Sequence, residues 1–208
     1  MAAMIKERMS GRGFAVGSNP QTAPHIEDSF KNAISLLDVH LANRPYLFGS
    51  APSFADFGLA PQVYEALVDP TAGRILREKA HNVVRWCEQM TSPKATSLDS
   101  RFEEWESLKE TLLPFIATEV RDFLVWSSGI TVAMAAGEKE MRIDLGGGRH
   151  WWQTVAGPQK YHTKSLKELR RKYSEVTNDL PLQRVLEECR IREFLVTTGP
   201  PVQPQSKL

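Results

Sequence analysis

Apolar residues recur at helical spacing along most of this chain. Ile26, Phe30, Ala33, Leu37 and Leu41 share one face of a helix that Thr22 can cap and that Arg44-Pro45 stops. A second apolar stretch runs from Ser53 to about Val68, with Pro61 inside it predicting a kink or the end of its first segment. Asp69-Pro70 places a cap and a first-turn proline ahead of a short helix through Arg77, and another helix around Val83 to Met90 carries Trp86. Leu98, Phe102, Trp105, Leu108 and Leu112 form a further stripe, which Pro114 kinks or interrupts before a largely apolar helix continues to about Ala136. The pattern closes with helices at about 163–177 (Leu166, Leu169, Tyr173, Val176) and 181–195 (Leu182, Val185, Leu186, Cys189).

One segment breaks this period. Met141, Ile143 and Leu145 alternate with Arg142 and Asp144, and Gly146-Gly147-Gly148 then turns the chain into His150-Trp-Trp-Gln-Thr-Val155, a hairpin pattern. A loop at Gly146-Gly147 pairs Asp144 with Arg149, whereas a loop at Gly147-Gly148 pairs Ile143 with Trp152. The two registers exchange which tryptophan is buried. A two-stranded ribbon is marginal alone, so it must lie on a helical surface. The class is therefore all-α with a small β-hairpin. Residues 1–10 read as the tail of a helix ended by Gly11 and Gly13, and Thr91–Thr96 as a linker. The expected division is a helical core over 1–92, a helical extension over 93–198 carrying the hairpin at about 140–155 on the same domain, and a disordered tail over 199–208.

Composition removes several functions. A net charge of +1 gives no electrostatic argument for nucleic acid or an anionic membrane. The longest uncharged run, Phe123 to Gly137, is shorter than the ~20 residues a membrane helix needs, and the N-terminus has no signal-peptide core. Two cysteines, Cys87 and Cys189, make no disulfide framework and fit buried thiols in a reducing, cytoplasmic compartment. The histidines (25, 40, 81, 150, 162) have no metal-ligand spacing; His150 and His162 flank the hairpin and could meet in space, but the favoured reading is an exposed strand residue and an exposed helix residue. The three glycines join two alternating segments, which favours a turn over a phosphate loop. Lys164-Ser-Leu-Lys-Glu-Leu-Arg-Arg-Lys172 reads as the solvated face of an amphipathic helix. Tyr46, Phe48, Phe54, Phe57 and Tyr64 cluster near the second helix, Trp105, Trp126, Trp151 and Trp152 mark the second half, and most of these are expected to be core, with a pocket-lining subset as the minority alternative.

The densest signal is Arg44-Pro-Tyr-Leu-Phe-Gly-Ser-Ala-Pro-Ser-Phe-Ala-Asp-Phe-Gly-Leu59. Within it Ser53 and Asp56 have capping-box spacing. The Ser53 hydroxyl can accept from the backbone three residues on, while the Asp56 carboxylate reaches back to Ser53 N–H. Set among apolar residues, such a box suggests a buried helix start. This frame resembles the buried N-capping box in the C-terminal helical domain of glutathione S-transferases, and the likeness extends over about residues 20–90. Residues 98–196 resemble, more loosely, the extended tails of some bacterial glutathione-transferase-like proteins.

The resemblance implies a transferase-like helical bundle in which Ser53 and Asp56 are structural. Glutathione, the family co-substrate, is held by an N-terminal thioredoxin-like domain that also carries the activating residue. No residue of this chain inherits the catalytic role, no cofactor and no metal is expected in it, and it is catalytically incomplete as presented. Met9, Phe14 and Tyr64 are the candidates by position for the family's apolar electrophile pocket. An apolar face left open would take a partner domain or a second copy of the chain, with no nucleic acid or membrane partner. The alternative is a non-enzymatic interaction or scaffold module built on the transferase helical fold.

Overall fold

The computed structural model describes residues 13–92 and 101–196. Expectations for residues 1–10, for the linker beyond Ser92 and for the tail lie outside the described residues. The chain divides into two compact units: Phe30–Ile116, and a second that joins residues up to Ser29 with those from Ala117 onward. The sequence pattern places the division near 92/93 instead. The reason is that residues 101–103 return to the first helices: Glu103 N–H donates to Phe48 O at 2.8 Å and Ser50 N–H to Arg101 O at 3.1 Å.

The first unit is helical. Helix α1 spans Ala23–His40, its residues from Phe30 belonging here. Helices α2 (Phe54–Val68), α3 (Pro70–Lys79), α4 (His81–Thr91) and α5 (Trp105–Phe115) follow. Ile34, Leu37, Leu41, Leu47, Ala60, Val63, Leu67, Leu76, Val83 and Trp86 form one buried cluster. Asp69 caps α3 as its spacing suggests, accepting from Thr71 and Ala72 N–H at 2.8 Å. Pro61 neither ends nor divides α2. It lies on the exposed face, where water can reach the carbonyl its missing N–H leaves unpaired. Phe102 is not on the helix its spacing suggested. It is exposed and bridged to Gly49, and α5 begins only at Trp105. At Gly49, with φ of 123°, a Cβ would come within 2.8 Å of Arg101 O, so both the dihedral and the close strand require glycine.

The second unit is built on helix α6 (Arg121–Ala135), with the hairpin β1 (Glu140–Gly146) and β2 (Arg149–Thr154) laid against it. Helices α7 (Lys160–Ser174), α8 (Leu180–Glu188) and the single turn α9 (Arg192–Leu195) complete it. Between α5 and α6 the chain makes one π turn, Ile116–Val120, just after Pro114. A Cβ on Gly129 of α6 would lie 2.7 Å from Ile143 Cγ2, so the absence of a side chain there lets the ribbon sit on the helix. Val125, Trp126, Ile130, Met141, Ile143 and Leu145 are its core.

The hairpin takes neither simple register. Gly146 pairs with Arg149, but a bulge at Leu145 shifts the rest, so that Ile143 faces Trp151 and Arg142 faces Trp152. Leu145 keeps to the core face beside Met141 and Ile143, as their alternation sets. Thr22, expected as a cap, instead donates through Oγ1 to Gly17 O at 2.6 Å. Asn19 holds that turn through its Oδ1, which accepts from Gln21 and Thr22 N–H. Asn19 Nδ2 also donates to Trp152 O at 2.8 Å, which ties this loop to the hairpin. The helix expected over 181–195 breaks after Glu188. Ile191 N–H closes a Schellman-type turn to Leu186 O, with Arg190 at φ of 56° in the left-handed region. No helix among the described residues is long and apolar enough to cross a membrane.

That left-handed arginine yields a prediction. Replacing Arg190 with glycine should raise stability by about 0.5–1 kcal/mol, the relief of the Cβ clash outweighing glycine's extra unfolded-state entropy. The urea midpoint of the transition reads it, and a lower midpoint in Arg190→Gly contradicts strain at this position.

Candidate functional site

The polar groups of the first unit converge on the start of α2. Ser53 is its N-cap. Its backbone N–H donates to Asp56 Oδ2 at 2.8 Å, its hydroxyl donates to the same oxygen at 2.6 Å, and Asp56 N–H points at Ser53 Oγ at 3.4 Å. The other carboxylate oxygen, Oδ1, accepts from Leu47 N–H and from Trp86 Nε1–H, each at 2.9 Å. Asp56 has no solvent exposure, and its two oxygens take four donors from α2, α4 and the loop between α1 and α2. Four donors match the lone-pair capacity of a carboxylate, which is what allows one to be buried.

Leu47 links this group to a second buried one. While its N–H serves Asp56, its carbonyl accepts from His40 Nε2 at 2.8 Å, and His40 Nδ1 lies 2.8 Å from Thr111 Oγ1. Burial pushes the His40 pKa down, opposed by the bond to Leu47 and aided by the Arg44 charge. Arg44 Nε donates to Glu103 Oε2 at 3.0 Å and its Nη2 to Ser107 O at 2.6 Å. Asp38 caps α4 from α1, accepting from Asn82 and Val83 N–H at 2.7 and 3.2 Å. No buried side-chain polar atom among the described residues lacks a partner. Such a cluster fastens elements together and offers no free nucleophile.

The outer face of α2 is different. Phe54, Phe57, Tyr64 and Val68 are 97, 59, 47 and 62% exposed, and Pro61 is exposed between them. Their spacing of 3, 4, 3 and 4 residues puts them on one stripe, flanking the buried row Asp56, Ala60, Val63 and Leu67. Phe54, Phe57 and Tyr64 are thus outside the core that most of these aromatics are expected to join, whereas Tyr46 is buried and Phe48 half-buried as expected. The signal was available, because α2 carries apolar residues on both faces and a helix apolar all round is covered on all sides. Of the three residues suggested for an apolar pocket, Tyr64 stands in this stripe and Phe14 is 45% exposed in the 3-10 turn Gly13–Val16 of the other unit. Met9 lies outside the described residues.

In the second unit, polar side chains again bond one another. Gln153, at 1% exposure, accepts from the indoles of Trp126 and Trp151 at 2.7 and 2.8 Å. His162 meets the edge of Trp126 at 4.7 Å, and burial lowers its pKa. His150 is an exposed strand residue as expected, 4.0 Å from Asp144. Gly147 and Gly148 form the hairpin turn, and Gly146 ends β1. On the basic helix, Arg171 pairs with Glu168 and Glu175 across exposed turns. Cys87 and Cys189 are free and buried, and burial pushes Cys189 up to about 11. Among the described residues no group of three or more His, Cys, Asp or Glu is placed to hold a metal ion.

Comparison with known families finds a match that covers part of this first unit and the stretch just before it. Residues 20–89 match the family model described as glutathione S-transferase, C-terminal domain. The matched segment contains the box, the Asp56 carboxylate and its Trp86 partner, and is well under half of the 208 residues. The chain thus carries a glutathione-transferase C-terminal-domain-like region. No curated protein and no solved structure matches the chain.

The geometry ranks substitutions in the box. Asp56→Ala strands three buried or half-buried donors besides the cap and should cost roughly 3 kcal/mol or more. Ser53→Ala removes one long cap bond and one donor and should cost about 1 kcal/mol. Equal urea-unfolding losses for the two variants contradict a carboxylate-centred network.

Proposed function

We propose that residues 20–89 act as the helical half of a glutathione-transferase-like protein, with glutathione held and activated by a thioredoxin-like domain and not by these helices. The observation that carries this reading is the apolar stripe Phe54, Phe57, Pro61, Tyr64 and Val68 on α2. A 15-residue helix with one row buried and an exposed apolar stripe flanking it offers a second surface for packing. The partner we assign is a protein surface of apolar, uncharged character, the thioredoxin-like domain supplying it. Support for leaving chemistry to that domain comes from the box itself, since Ser53 and Asp56 spend their oxygens on one another and on Leu47 and Trp86. On this reading the chain as given needs no cofactor of its own and is catalytically incomplete. Tyr64 would contribute apolar surface to an electrophile rather than a reacting group. A cytoplasmic setting accompanies it, in line with two free thiols.

A non-enzymatic scaffold role draws on the same stripe and differs in what covers it. Glutathione affinity separates the two outcomes from an error in both. The chain alone should flow through a glutathione matrix and self-associate with rising concentration in light scattering. Phe54→Glu with Phe57→Glu should return it to a monomer, with a stability change within about 0.5 kcal/mol because both sites are exposed. Retention on the matrix overturns the assignment of glutathione to another domain. A wild-type chain that stays monomeric at every concentration removes the docking role of α2.

A further inference from the structure

Helix α5 is fastened to the first helices by polar groups converging from two sides. His40 at the end of α1 holds Thr111 of α5 through Nδ1 and the Leu47 carbonyl through Nε2, each at 2.8 Å. Arg44, four residues on, sends Nη1 to Thr111 Oγ1 at 3.4 Å, Nη2 to Ser107 O at 2.6 Å and Nε to Glu103 at 3.0 Å. These contacts fix the imidazole tautomer. Leu47 O is only an acceptor, so Nε2 carries the proton and Nδ1 is left as an acceptor; the Thr111 hydroxyl, whose other acceptor Leu108 O lies farther off at 3.4 Å, gives its proton to Nδ1 and accepts from Arg44. One hydroxyl oxygen thereby serves a neutral imidazole and a guanidinium at once.

We propose that this cluster is an acid-sensitive latch: a second proton on His40 loosens α5 and the 101–103 segment from the Tyr46–Ser50 turn while the core around Asp56 stays closed. The imidazolium would direct Nδ1–H at the oxygen that already receives Arg44, setting two cations on one hydroxyl in a site His40 shares with no solvent. Three charged groups face His40. Arg44, on its own turn, disfavours the added charge, while Glu103 on the returning segment and Asp56 on α2 favour it. Neither carboxylate is free to answer it, because Glu103 pairs with Arg44 and Asp56 is filled by four donors. Burial is the largest influence and holds the His40 pKa below the ordinary value. The folded state therefore binds fewer protons than the unfolded one as pH drops. The stabilisation by neutral His40 is complete above the unfolded value of ~6.5 and is lost as pH falls through the folded value.

The latch predicts a local response, which distinguishes it from general acid destabilisation. Hydrogen exchange of the intact chain, compared at about pH 7.5 and about pH 5.5 with intrinsic rates corrected, should show ~10-fold loss of protection in α5, with α4 unchanged. His162 in the other unit is also held low by burial, so a global melt would mix two histidines where local exchange separates them. His40→Gln, which can donate and accept but not ionise, should abolish the α5 response. Should that variant fold poorly, imidazole nitrogen NMR of the wild type reads the same claim. It should show neutral, Nε2-protonated His40 at about pH 7.5 with a midpoint below the ordinary histidine value. An imidazolium at that pH, equal losses in α4 and α5, protection that does not change, or an unaltered response in His40→Gln overturns the latch.

Discussion

A buried carboxylate must find a donor for each lone pair or pay a large desolvation cost, and the first unit is arranged around meeting that demand for Asp56. Its four donors come from its own helix start, from Trp86 on α4 and from the backbone of Leu47. Satisfying one side chain thus sets three elements relative to one another. An apolar contact could slide by an ångström at little cost, whereas a bidentate carboxylate with four fixed partners cannot. The surrounding apolar cluster supplies most of the driving force, and Asp56 selects which packing that force produces.

The same logic recurs with different residues in the second unit, where Gln153 accepts from two indoles and Gln159 bridges Phe14, Thr154 and Ala156. An uncharged amide costs less to bury than a carboxylate and can both donate and accept. Asp38 shows a third version, capping a helix it does not belong to. Asp56 serves the start of its own helix and Asp38 the start of another, whereas Gln153 joins two side chains.

What was legible in the sequence was local. Ser53 and Asp56, Asp69 and Pro70, and the glycine run each act within three or four residues, so spacing alone exposes them. Distant partnerships left no such mark: Asp38 and Asn82 are 44 residues apart, and Arg44 and Glu103 are 59 apart. The placement of residues 101–116 followed from those distant bonds, and the expected boundary after 92 could not anticipate them. The Leu145 bulge escaped because three glycines fit more than one turn and only packing on α6 chooses among the registers. On the candidate site, the residues were visible but their side of the helix was misjudged, since aromatic side chains at core spacing look alike whether the neighbour is inside the chain or outside it.

The peptide group of Leu47 has a consequence for what can change in this loop. It contributes to the network only through backbone atoms, binding nine residues forward to Asp56 and seven back to His40. The polar network therefore places no demand on which amino acid stands at 47, although the apolar cluster favours a hydrophobic one. It places a strict demand on count. One residue inserted or deleted on either side of that peptide would misalign a bond that no substitution at 47 would touch. Loop length is the conserved quantity such an arrangement would impose on descendants, with identity free to drift: a constraint written in the gaps of an alignment rather than in its columns.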